Sequence, residues 1–252
     1  MDRRRISALA HGDHPVAAPL GDDSVARLLD RALPRDGAGR ILDLGCGEAP
    51  WLIRALEGRP GLRADGVDND AATVTRTRKE IAARGLGDRI TLHTEDAADF
   101  AVDRPYDLVL CVGATHAFGG LRRTLDAVAH HLAPGGCALV GEGFWERQPD
   151  PRTLAAGFTP DEYADLATTT DTISTAGWTP VYAHVSTLGE WDDYEWSWTG
   201  TLARWALDNP SDPDSGEAYR AAAEHRTAWL HGYRGTLGFA TFLLRRTPGY
   251  VL

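Results

Sequence analysis

The residues best placed to do chemistry stand in two short runs. Asp43-Leu44-Gly45-Cys46-Gly47-Glu48-Ala49 follows a short apolar stretch, and Gly66-Val67-Asp68 closes a second one. Gly45 and Gly47 permit a tight turn and let backbone amides approach a ligand closely. An acid about 20 residues past such a turn, at a strand end, can accept hydrogen bonds from ribose hydroxyls. Glycines alone carry little information; a glycine turn with a spaced acid describes a crevice for a nucleoside.

The elements around these runs must hold them at one sheet edge. Arg40 to Leu44, Leu62 to Asp68, Arg89 to Thr94, Tyr106 to Val112 and Cys137 to Val140 read as strands, with helices between them. Asn69-Asp70 caps the helix that runs to about Arg84, and Pro134-Gly135-Gly136 stops the one carrying Leu121, Leu125, Val128 and Leu132. This alternation predicts a doubly wound parallel sheet, whose ligands bind outside the carboxyl ends of the strands. A helix from about Thr159 towards Gly177, a strand from Thr179 to Thr187, a Trp-rich helix from Gly189 to Asp208, a helix from Ser215 and a closing strand from Phe239 to Arg245 complete the chain. Residues up to about Leu20, with Pro15 and Pro19, read as an extended arm, expected to fold over the ligand.

The run ILDLGCGEA resembles the first motif of the class I S-adenosylmethionine-dependent methyltransferases, and the resemblance covers about Arg40 to Val140. It implies a Rossmann-like, mostly parallel seven-stranded sheet with an antiparallel last strand. It also implies S-adenosylmethionine as methyl donor and S-adenosylhomocysteine as product. Carried over by position, Asp43 contacts the donor's amino group, Gly45, Cys46 and Gly47 form the turn, and Asp68 holds the ribose with Asn69 behind it. Asp96 and Ala97 read the adenine, and Gly113 follows the fourth strand where donor and acceptor meet. Ala49 replaces the family's third glycine. A dinucleotide-binding oxidoreductase using NAD is the rival reading, but it wants G-x-G-x-x-G where this chain has G-C-G-E-A-P-W. A non-catalytic protein that only binds the donor is the second rival.

Methyl transfer from a sulfonium mainly needs alignment of nucleophile, methyl carbon and sulfur, with a base where the nucleophile carries a proton. His116 after the fourth strand and Glu142 after the fifth are the catalytic candidates. Phe144 and Trp145 are expected as pocket wall or core. In EWDDYEWSW, Trp191, Tyr194, Trp198, Leu202 and Trp205 share one helical stripe, while Trp196 lies off it by more than about 100°. Glu195 among these rings suits an amine through charge pairing and cation–π contact, so Tyr194, Glu195 and Trp196 are expected to wall the acceptor pocket.

The formal net charge of -10 and the lack of a basic stripe speak against nucleic acid as acceptor. Three cysteines, Cys46, Cys111 and Cys137, have no paired spacing, and His11 and His14 are broken by Pro15, so no disulfide framework or metal site is expected. No stretch reaches the ~18 apolar residues of a membrane span and no signal peptide is visible, giving a cytoplasmic expectation. The expected layout is an arm and helix over 1-35, a cofactor-binding core over 36-187, a helical cap insertion over 188-237 and a closing strand over 238-252. The expected activity is methylation of a small molecule, an amine or aromatic compound, by a monomer or homodimer.

Overall fold

Seven strands form one sheet in the computed structural model, which describes residues 1, 3–101 and 104–249. They are β1 (Ala38–Leu44), β2 (Gly61–Asp68), β3 (Ile90–Thr94), β4 (Tyr106–Val112), β5 (Leu132–Trp145), β6 (Trp178–Val185) and β7 (Leu237–Arg246). Their order is β3-β2-β1-β4-β5-β7-β6. Six run parallel and the last, β7, is antiparallel. Between β1 and β4 the chain changes direction along the sheet, and the carboxyl ends of both strands open on that switch point. Register brings the ends level: Leu44 pairs with Val67, Asp68 with Thr94 and Val112 with Gly141.

Nine α-helices accompany the sheet among the described residues: α1 (Arg3–Ala10), α2 (Asp22–Ala32), α3 (Pro50–Leu56), α4 (Ala71–Ala83), α5 (Leu121–His131), α6 (Pro151–Ala155), α7 (Leu166–Thr175), α8 (Leu188–Asp208) and α9 (Ser215–Ala228). A π-helical turn, Trp229–Tyr233, continues α9. The chain divides into two compact units. The sheet unit comprises Asp22–Glu142, Ala167–His184 and Ala240–Leu252; the helical unit comprises Met1–Gly21, Gly143–Leu166 and Val185–Phe239. This division differs from the one expected from sequence, since α2 groups with the sheet and 143–166 with the late helices.

Local chemistry explains the elements. In β4, Leu108 to Cys111 are fully buried, which an apolar run in mid-sheet requires. Asp70 caps α4 by accepting from the Ala72 amide and the Thr73 hydroxyl. Thr187 and Glu190 form a reciprocal capping box at the start of α8.

Three expectations are corrected. The first residues are not extended: Ile6, Leu9 and Ala10 give α1 an apolar edge, which packs with Leu202 and Ala206 of α8. The helix expected from Thr159 begins only at Leu166, because Ala164 accepts the Trp145 amide at 2.8 Å and Asp165 bridges to Trp145. The stripe buried on α8 is Glu195, Thr199, Leu202 and Ala206 rather than the line of aromatic rings.

Candidate active site

The turn after β1 is built by backbone. Gly45 and Cys46 both donate their amides to the Val67 carbonyl at 2.9 Å, tying the turn to the end of β2. Gly45 has φ 81°, and a Cβ there would lie 2.4 Å from Ala114 Cβ, so only glycine fits. Ala49, at the place of the family's third glycine, takes the left-handed conformation (φ 55°) as N-cap of α3. The alanine therefore keeps a glycine-like backbone at some cost in strain.

Asp68 closes the turn from the other side. Its Oδ2 accepts the Gly47 amide and its Oδ1 the Asp70 amide, each at 2.9 Å. A carboxylate has about four lone-pair sites, so two remain for other donors. Asn69 beside it is exposed. Asp43 sits deeper, 2% exposed, and its Oδ2 has no hydrogen-bond partner. Burial, reinforced by the charge of Asp68, pushes its carboxyl up to about 7. Cys46 is buried, and burial raises its thiol well above its ordinary value, so it is no nucleophile.

Further along the edge, Asp96 is exposed and accepts the Ala98 amide at 2.9 Å, while Ala97 is buried. Gly113 turns the chain with φ 76° after β4. His116 follows, exposed, on a short 3-10 turn from Thr115 to Phe118. Glu142 lies on β5 one residue past the Val112–Gly141 pair. Its Oε2 is buried without a partner, and burial pushes its carboxyl up to about 7 against a Thr115 hydroxyl bond that acts the other way. Thr115 was not singled out from sequence, since a threonine in a loop gives no spacing signal. Asp43, Gly45, Gly47, Asp68, Asp96, Gly113 and Glu142 thus all stand at the carboxyl ends of adjacent strands or in the loops that follow them.

The other expected residues lie in the helical unit. Phe144 is 1% exposed, with Gly238 so close that a Cβ there would come 2.4 Å from its ring. Trp145 is buried in a cluster with Trp229, Tyr233 and Leu237, and its indole donates to the Pro160 carbonyl. Both are core. Tyr194 Oη lies 2.9 Å from His11 Nε2. Trp196 is 52% exposed, its ring edge-on to Trp229 at 5.1 Å. Glu195 is 2% exposed and fully engaged: His225 Nε2 lies 2.7 Å from Oε2, and the Tyr233 hydroxyl donates to Oε1 at 2.7 Å. Trp198 stacks on His225 at 3.9 Å. The expectation of a Glu195 carboxylate open to an amine is therefore corrected, because His225 and Tyr233, distant in sequence, already satisfy it. Among the described residues no cluster of histidine, cysteine and acids could hold a metal ion, and no helix is long and apolar enough to cross a membrane.

A family described as "Methyltransferase domain" matches residues 42–138, the span of the glycine turn and both acids. A solved SAM-dependent methyltransferase of Geobacter sulfurreducens, in complex with S-adenosyl-L-homocysteine, superposes with a TM-score of 0.85 at 26% identity, covering 96% of this chain and 98% of that one. In sequence over that span, and in fold, the chain is similar to S-adenosylmethionine-dependent methyltransferases. The chain is also 27% identical over 220 residues to the uncharacterized protein YjhP of Escherichia coli (strain K12), covering 86% of this chain and 88% of that one. A dTDP-4-amino-2,3,4,6-tetradeoxy-D-glucose N,N-dimethyltransferase of Saccharopolyspora spinosa is 32% identical over 51% of this chain and 48% of its own length. Shorter matches include ribosomal RNA and tRNA methyltransferases.

Proposed function

We propose that this chain is a methyltransferase that acts on a small-molecule nucleophile that carries a proton or positive charge, an amine above all. One observation carries the reading. Asp43 and Glu142, at the carboxyl ends of β1 and β5, each present one buried oxygen with no partner. A buried, unpaired carboxylate oxygen is costly unless a cation or donor satisfies it. Asp43 fits the ammonium of the methyl donor, and Glu142 fits a donor or cation on the acceptor.

When bound, S-adenosylmethionine supplies a methyl group activated on a sulfonium. The free lone pairs of Asp68 take the ribose hydroxyls, with Asn69 beside them. The turn of Gly45, Cys46 and Gly47 lets backbone approach the ligand, while Asp96 and the Ala97 backbone hold the adenine and Gly113 leaves room after β4. Glu142 receives the acceptor's proton at Oε2, and exposed His116 binds the acceptor. A carboxyl raised to about 7 suits this task, because near neutral pH a good share of it is ionised and that form is basic enough to take a proton. An acidic chain without a basic stripe, and a relative that methylates an amino sugar, support a small acceptor over RNA.

Calorimetry with S-adenosylmethionine, S-adenosylhomocysteine and NAD tests the donor assignment. Both adenosyl ligands should bind and NAD should not, and Asp43→Asn should weaken the donor about tenfold or more. A panel of small amines, phenols and alcohols, read by formation of S-adenosylhomocysteine, tests the acceptor. Glu142→Gln should lower turnover about 10²–10⁴-fold with donor binding intact; unchanged turnover would remove Glu142 from the chemistry.

A further inference from the structure

The helical unit holds an open groove of about 530 Å³, lined by none of the residues given a role above. Its size falls in the range of small-molecule sites. One wall is α6, and the other is a single face of α9 and the π turn, where Arg220, Ala223, Glu224, Thr227, Ala228 and His231 recur at helical spacing.

The junction beneath the cavity is fixed. Thr153, fully buried in α6, donates its hydroxyl to the Gly232 carbonyl of the π turn at 2.7 Å. Gly232 is required there, since a Cβ would come 2.8 Å from Ala156 Cβ. The floor is thus made of alanines and glycine, and its exposed surface is apolar. Arg152 and Arg220 stand at the cavity, exposed, and neither guanidinium forms an ion pair among the described residues. Asp150, whose carboxylate caps α6 through the amides of Arg152 and Thr153, is held by those bonds. Glu224 is the one acid among the lining residues. In a chain of net charge -10, the lining thus carries two guanidinium groups against one acid, with Asp150 close enough to Arg152 to feel its charge.

We propose that this groove is a second ligand site, for a small organic acid whose carboxylate meets Arg152 and Arg220 while its apolar body lies on the Ala156 and Ala223 floor. Guanidinium–carboxylate pairing is the geometry that a planar fork favours. Burying a ring or short chain on the alanines adds an apolar contribution that an inorganic anion lacks. The proposal stands whether or not Glu142 takes the acceptor's proton.

Calorimetry with three probes that share one body, 4-phenylbutyrate, 4-phenylbutanol and 4-phenylbutylamine, decides the matter. The acid should bind at millimolar concentration or below, and the alcohol and amine about tenfold more weakly or not at all. The double variant Arg152→Ala/Arg220→Ala should lose about tenfold or more for the acid. Ala223→Trp, which fills the floor, should abolish binding. Thermal melts of the variants confirm that they are folded, since all three positions are at least partly exposed. No binding of the acid, equal binding of alcohol or amine, or unchanged affinity in the folded double variant would each overturn the proposal.

Discussion

At the scale of single residues, the two buried carboxyls have a thermodynamic signature. Asp43 and Glu142 are pushed up to about 7 from ordinary values near 4. An acid whose pKa is raised by folding binds more protons in the native state, so its penalty is absent below the unfolded pKa, grows as pH rises through it, and levels off above the folded pKa. For Asp43 the full penalty is on the order of 4 kcal/mol. The ligand-free protein should therefore melt lower at pH 8 than at pH 5.5. Asp43→Asn should raise the melting temperature at pH 8 and narrow that gap; a wild-type pH dependence in the variant would contradict the assignment. Donor affinity should move the opposite way, rising with pH up to about 7 as Asp43 ionises, and it should be flat in the variant.

At the scale of elements, α8 and the π turn are joined through one acid. Glu195, with no side chain around it to suggest its partners in sequence, is satisfied by Tyr233 and His225. Tyr233→Phe removes the donor to Oε1 and leaves a buried oxygen unsatisfied, at a cost of about 1–3 kcal/mol. The melting temperature should fall by several degrees, with donor affinity unchanged because the nucleoside crevice belongs to the sheet unit. An unshifted melt would show that water replaces the phenol. The same element explains why the aromatic stripe misled: Trp191, Tyr194 and Trp198 repeat at helical spacing, yet the deepest line on α8 runs through Glu195 and Thr199. A polar residue at the buried centre is invisible to a hydrophobic pattern until its partners are known.

At the scale of the whole molecule, charge and connectivity decide what could be read in advance. A chain of net charge -10 should show no salt-dependent binding to tRNA or ribosomal RNA fragments at low ionic strength. Tight binding that falls steeply with added salt would reopen the RNA reading. The sheet was legible because its signals are local: a glycine turn, an acid at the next strand end, and strands that alternate with capped helices. Asp43 and Asp68 could be placed from such signals, but the unpartnered oxygens of Asp43 and Glu142 could not, since burial depends on what packs above them. The helical unit was least legible. Its three segments, 1–21, 143–166 and 185–239, meet only through contacts distant in sequence.

That discontinuity has a temporal side. Ala10 of α1 packs against Leu202, Ala206, Ala218 and Ala222, so α1 emerges from the ribosome long before its neighbours exist. At elongation rates of about 5–20 residues per second, it waits for roughly 10–40 s. During that interval β1 to β6 emerge, but β7, which lies between β5 and β6 in the sheet, is made only after α8 and α9, so α1 and the unfinished sheet both wait for the end of the chain.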